Sequence, residues 1–242
     1  MNDNYSTPSA ELENLEGRTI EAGISGDYDF SIGQNLSEAW SSTKGVKRYI
    51  LGAGIIMYIA MTVVMIAIVA ITAGIGAIGQ SGLASIIASL AIQIAVWAVV
   101  MPFVGGILLM GLKHCQNQEV AFSDLFSCFN KTMPLIIATI LMNILVIIGF
   151  LLFILPGVYL MIAYLLTIPL IIDRDMGPWE ALEASRKAIS KRWFSVFFWY
   201  LALMIIVIIS MLPLGIGLIW TIPMMVMAIV LLYRDVFGIA SE

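Results

Sequence analysis

Four groups of residues have the types and spacing that chemistry could use. His114, Cys115, Asp124 and Cys128 fall in one polar stretch, where imidazole, thiol and carboxylate could ligate a metal. A zinc site needs about four ligands at defined spacings. A His-Cys pair followed at some distance by a single Cys is not such a pattern, and no metal is expected. Asp173, Arg174 and Asp175 bring two carboxylates beside a base. Nucleophilic or acid–base catalysis needs a nucleophile paired with a base in a pocket, and this triplet reads instead as a helix end. Ser81, Ser85, Ser89 and Gln93 recur every four residues and so share one helix face. That face is a candidate pore lining or a packing face; Ala84, Ala88, Ala91 and Ala95 favour packing, and Asn143 is the expected partner of Gln93. Arg186, Lys187, Lys191 and Arg192, beside Trp179, Trp193 and Phe194, are candidates for contact with anionic lipid head groups.

The elements that must position these residues follow from composition. The chain has 242 residues, 61% hydrophobic and 12% charged, with a net charge of −4. A soluble domain is about 45–50% apolar and about 25% charged. An ordinary soluble domain, a disordered protein and a nucleic-acid binder are thereby excluded, leaving an all-α polytopic membrane protein. Three blocks contain no Asp, Glu, Lys or Arg: 49–112, 132–172 and 193–233. A bilayer core needs about 20 apolar residues per helical span, so each block holds a hairpin of two. Turn chemistry places the tips at Gly79-Gln80-Ser81-Gly82, Leu155-Pro156-Gly157 and Pro213-Leu214-Gly215. Six spans are predicted, near 50–78, 83–112, 133–154, 157–172, 194–212 and 215–233.

All twelve Lys and Arg fall outside the blocks. With two spans per block every base lies on one face, which the positive-inside rule makes cytoplasmic, together with both termini. The first 40 residues carry no basic start followed by an apolar stretch, so the first span is expected to act as an uncleaved signal anchor. Residues 1–30 hold seven acids against one Arg and are expected to form a flexible cytoplasmic tail. Residues 31–242 then form a single six-span domain.

A short amphipathic stretch precedes each block. Leu36, Trp40 and Val46 mark the first; Phe122, Leu125, Phe126 and Phe129 the second; Trp179, Leu182 and Ile189, on one side, the third. Each is expected to be an interfacial helix lying in the head-group layer. The unit of interfacial helix, span, turn and span thus occurs three times, over 31–115, 116–175 and 176–238. Pro102, Pro169 and Pro223 place one proline in each second span.

Three stretches carry a family resemblance: Ile154-Leu-Pro-Gly-Val-Tyr-Leu160, Ile168-Pro-Leu-Ile-Ile-Asp173 and Trp179-Glu-Ala-Leu-Glu-Ala-Ser-Arg186. Together they resemble a diffuse group of bacterial six-span proteins. The group includes the YciC-like inner-membrane proteins and the membrane domain attached to some glycerophosphodiester phosphodiesterases. The match rests on Pro156-Gly157, Asp173 and Glu180-Ala-Leu-x-x-Ser185-Arg186, and covers about the last 110 residues. The resemblance implies the six-span fold and the bacterial inner membrane. It transfers no activity, because the chain has one His and no soluble region large enough for a phosphodiesterase domain.

The predicted spans contain no Asp, Glu, His, Lys or Arg. Such residues mark proton relays and ion paths, so an ion-coupled transporter is not expected. The reading is a non-enzymatic protein with no cofactor and no catalytic residue, acting as a scaffold, an assembly factor or a lipid-binding component. Its partners would be membrane lipids, other membrane proteins or further copies of itself, and no nucleic acid. The alternative is a channel or carrier for a small neutral or amphiphilic solute, which would need the Ser81–Gln93 face to meet water.

Overall fold

In hydrocarbon every backbone N–H and C=O must find a partner within the chain, which leaves the helix as the form for an unbroken apolar block. The computed structural model describes residues 19–76 and 82–240, with only the backbone described for 71–76 and 83–85. Among the described residues there is no strand. The helices are α1 (Ile20–Ser25), α2 (Ile32–Gly76), α3 (Leu83–Cys115), a short 3-10 helix (Phe122–Lys131), α4 (Thr132–Leu152), α5 (Ile154–Ala163), α6 (Thr167–Arg174), α7 (Pro178–Lys191), α8 (Trp193–Met211) and α9 (Leu218–Phe237). Six stretches are long and apolar enough to cross a membrane: Ile32–Ala70, Ile86–Cys115, Phe122–Leu152, Ile154–Arg174, Trp193–Met211 and Leu218–Phe237. The protein is an all-α, multi-pass membrane protein.

The hairpin tips follow the turn residues unevenly. The first tip lies outside the described residues except for Gly82. The third is as expected, with Leu214 and Gly215 both in the left-handed region. The second is displaced: the chain turns at Phe153, which is extended, and Pro156-Gly157 sits inside the first turn of α5. Proline is tolerated there because its missing N–H would have had no helical partner. Gly157 instead serves packing, since a Cβ on Gly149 would stand 3.0 Å from its Cα and one on Gly157 2.4 Å from the Phe150 ring.

The three stretches ahead of the spans are helical, and each is set off from its span by a backbone break. The breaks fall at Lys44-Gly45, where Gly45 has φ +96°, at Lys131 and at Arg192. Each stretch turns part of its surface onto the protein: Asn35 and Ala39 in the first, Asp124, Leu125 and Cys128 in the second, and Ala181, Ser185 and Ala188 among others in α7. In α7 the expected apolar side divides. Leu182 and Ile189 are buried in the core, whereas Trp179 is exposed.

α9 is the central helix, buried along most of its length from Thr221 to Phe237. It packs on the first half of α2 and the last turns of α3, and around it the core gathers at one end of the molecule. Trp199 of α8 is fully buried there; its Nε1 donates to Asn35 Oδ1 (2.7 Å), and Asn35 Nδ2 donates to Ala228 O (3.4 Å). By contrast, no described side chain of α2 from 54 to 70, or of α3 from 86 to 101, is buried.

Residues 19–30, expected within a flexible tail, belong to this core end; residues 1–18 lie outside the described residues. Thr19 caps α1 by accepting from Ala22 N (3.3 Å), and Gly23 allows the helix onto Phe237. Tyr28 is buried and its hydroxyl donates to Ala188 O (3.0 Å); burial pushes the phenol up to about 12, so it stays a neutral donor. Asp29 pairs with Arg192 (3.2 Å). The sequence of this segment is polar enough to read as tail, but its few apolar and aromatic side chains find a prepared surface on α7 and α9.

α7 also repairs a fault in the fourth span. Between α5 and α6 the helix tightens: Leu165 N turns to Ile162 O and Thr167 N to Tyr164 O. Ala163 O and Leu166 N lose their usual helical partners, and Ser185 Oγ takes both, donating to Ala163 O (2.7 Å) and accepting from Leu166 N (3.2 Å). Ser185→Ala is expected to cost about 1–3 kcal/mol, the penalty for stranding buried polar groups. Thermal unfolding in detergent measures it, and a variant indistinguishable from the parent would refute the repair.

Candidate functional site

The sequence-predicted residues divide into those spent on holding the fold and those left free. Asp124 accepts from Lys113 Nζ (2.6 Å) and Ala121 N (2.9 Å), tying the Phe122–Lys131 segment to the end of α3. Cys128 is buried against Gly105, and Cys115 lies apart from it at the α3 terminus. Among the described residues no three His, Cys, Asp or Glu gather as metal ligands. Asp173 Oδ2 accepts from Tyr233 OH (2.6 Å) and Ala240 N (3.1 Å), Arg174 donates to Phe237 O (3.0 Å), and Asp175 pairs with Lys131 (2.6 Å). The triplet therefore clasps the chain's C-terminal stretch and α9 to the end of α6.

The polar face is only partly described. Ser81 lies outside the described residues, and of Ser85 only the backbone is described. Ser89 is exposed and returns its hydroxyl to Ile86 O (2.8 Å) of its own helix; Gln93 is exposed. Asn143, the expected partner of Gln93, donates to Thr139 O (2.7 Å) within α4 instead, and no hydrogen bond joins the two.

The basic group of α7 is largely neutralised. Arg186 grips Glu183 through two hydrogen bonds (2.8 and 3.0 Å), and Lys187 stands 3.3 Å from the same carboxylate. The Arg186 hydrogen bonds hold the Glu183 carboxyl below the usual range. Arg192 meets Asp29, and Lys191 lays its stem over Gly26 with no described carboxylate within 4.0 Å.

One cavity was not among the expectations. It is an apolar groove of about 1250 Å³ between α2, α3 and α9. Ile50, Gly54, Met57, Met61 and Met65 form one wall; Val104 and Leu108 of α3, with Met225 and Ile229 of α9, form the others. Tyr58 and Thr62 are its only described lining residues with polar side chains, and Thr62 donates to Tyr58 O (2.8 Å) in its own helix. The i, i+4, i+7 spacing of Ile50, Gly54 and Met57, continued by Met61 and Met65, was the available signal. It marks a face of flexible side chains around a missing one, and it is indistinguishable in sequence from ordinary lipid-facing filler.

Beside the groove, one turn before Ile50, stand Lys47 and Arg48. The Lys47 ammonium reaches across to α9 and rests 4.2 Å from the centroid of the Trp220 ring. Arg48 lies over Tyr49 (4.7 Å) and donates to its hydroxyl (2.8 Å), and Tyr49 in turn packs on Phe122. No protein-family model, curated protein or solved structure matches the chain.

Proposed function

We propose that this chain is a non-catalytic protein of the bacterial inner membrane, with both termini cytoplasmic. In this reading it holds membrane-phase components, lipid or the helices of other proteins and of further copies of itself, against its apolar faces. The observation that carries the reading is the groove between α2, α3 and α9: it is large and apolar, and its Thr62 hydroxyl is already satisfied within its own helix. Such a cavity offers shape and hydrocarbon contact but no acid, base or nucleophile. The basic residues at the helix ends support the orientation by the positive-inside rule, and the stretches ahead of the spans, with Trp40, Phe126 and Trp179 exposed, suit the head-group layer. The resemblance to the YciC-like proteins transfers no role: its matched residues Gly157, Asp173 and Ser185 are joints of the fold.

Thiol accessibility tests this against a channel or carrier. In a protein with Cys115 and Cys128 replaced by Ala, single cysteines at 81, 85, 89 and 93 are expected to resist a membrane-impermeant thiol reagent in intact membranes. Labelling throughout that stripe would show a water-lined path and overturn the proposal.

A further inference from the structure

The groove and the bases beside it form one amphiphilic feature. Of the described Lys and Arg residues, seven lie within 4.0 Å of a carboxylate: Lys113, Lys131, Arg174, Arg186, Lys187, Arg192 and Arg234. Lys44, Lys47, Arg48 and Lys191 have none among the described residues, and the first three are grouped within five residues at the kink that opens the spanning part of α2. A cluster of bases left unneutralised, where the fold neutralises most others, is complementary to an anion supplied from outside the chain. Its position says what kind. The Lys47 side chain bridges from α2 to Trp220 of α9, two of the three helices whose separation makes the groove. An anion held there would therefore be continuous with hydrocarbon packed into the groove.

Size narrows the ligand further. Pockets for small ligands are about 300–1,000 Å³, and this one is about 1250 Å³. Its α2 wall runs from Ile50 to Ala70, about 30 Å of helix at 1.5 Å per residue. That length matches the full hydrocarbon core, about 30 Å, so acyl chains hung from a head group beside Ile50 fill the near half of the groove, and the volume has room for two of them. We infer that the groove seats the acyl chains of a two-chain anionic phospholipid, whose phosphate is met by Lys44, Lys47 and Arg48. This rests on the membrane-phase binding role proposed above and names its ligand.

Gly54 makes the inference testable without disturbing the core. It lines the groove, and a Cβ added to it meets no atom within 4 Å, so Gly54→Phe fills the cavity from an open position. The protein would be equilibrated with mixed micelles holding equal parts of phosphatidylcholine and phosphatidylglycerol, and bound lipid read by native mass spectrometry. The parent is expected to retain phosphatidylglycerol over phosphatidylcholine by at least about tenfold, since each base near an anionic head group is worth about fivefold. Lys44→Gln, Lys47→Gln and Arg48→Gln are each expected to lower the preference, and the triple variant to abolish it. Gly54→Phe is expected to lose bound lipid of both kinds. The single variants keep two bases of the cluster, so a result stands even where the triple variant misinserts. Equal retention of the two lipids by the parent, or a preference that survives the base substitutions, would overturn the head-group assignment. A preference abolished only by changing Arg186, Lys187, Lys191 and Arg192 to Gln would move the site to α7 and overturn it likewise. If Gly54→Phe still removes bound lipid in either case, the groove keeps its binding role; if both lipids remain on Gly54→Phe, the groove itself is not the seat.

Discussion

Arg234→Met is expected to destabilise the protein by about 2–4 kcal/mol, a loss that Glu38→Met in the same chain partly restores. Arg234 lies on α9 with its side chain only 16% exposed. Its guanidinium forks onto Glu38 with hydrogen bonds of 2.6 and 3.0 Å and holds Asp235 at 2.9 Å. It thus ties the helical stretch before the first break in α2 to the central helix, and it balances two carboxylates. Removing the guanidinium takes the countercharge from Glu38 and one partner from Asp235. Breaking a buried pair from one side costs about 3–5 kcal/mol. The Glu38 side chain is 34% exposed, so water recovers part of that and the lower figure follows. Glu38→Gln should cost less, because Asp235 still faces the base. The double variant Arg234→Met, Glu38→Met replaces most of the pair with apolar volume, an exchange that is often near neutral. A double-mutant cycle from unfolding in detergent measures the coupling. Purely additive losses would mean that the contact carries no pairwise energy.

The same contact shows what could not be read from the sequence. Glu38 and Arg234 are far apart in the chain, and nothing local to either marks the other as its partner. The six helices were legible because a missing charge is itself a signal: in hydrocarbon an unpaired ionic group is costly enough to keep whole blocks free of it. Turns were legible where Pro and Gly act on the backbone, as at Leu214-Gly215. They were misplaced where the same residues do other work, as at Pro156-Gly157, where proline opens a helix and glycine admits Phe150. In α7 the large side chains suggested one buried face. The core took Leu182 and Ile189 but not Trp179, and added the arc of Ala181, Ser185 and Ala188, small residues that let helices approach and that a hydrophobic pattern weights least.

The candidate site was less legible than the fold. Each wall of the groove is ordinary in sequence, a run of Ile, Met and Val, and the cavity exists only because three helices diverge. The bases near it were visible, but the basic group that stands out in sequence is that of α7. What separates the groups is neutralisation by distant acids: Arg192 finds Asp29 from a segment that reads as tail, while Lys44, Lys47 and Arg48 find none among the described residues. Composition can count charges; only the folded chain assigns them to one another.

Gly106→Ala is the second change with a large expected effect, about 3 kcal/mol or more, at the upper end of what overpacking costs. The Phe122–Lys131 segment lies against α3 so closely that a Cβ on Gly106 would stand 2.3 Å from Leu125 O and 2.7 Å from Leu125 C and Cα. Those are backbone atoms, which cannot swing aside as a side chain can. The segment would have to move off α3 as a unit, loosening the Lys113–Asp124 ion pair at one end and the packing of Phe103 against Phe126 and Phe129 at the other. Neighbouring glycines provide the controls. At Gly105 the nearest obstacle is the Cys128 Cβ at 3.1 Å, a side-chain contact that a small shift relieves, so Gly105→Ala should cost less. At Gly54 an added Cβ meets nothing, and exchanging glycine for alanine inside a helix should stabilise by about 0.5–1 kcal/mol. The order of unfolding midpoints is therefore expected to be Gly54→Ala above the parent, then Gly105→Ala, then Gly106→Ala lowest. If Gly105→Ala and Gly106→Ala fell together, the loss would reflect small-residue packing in general. A drop confined to Gly106 would locate it at the backbone contact with Leu125.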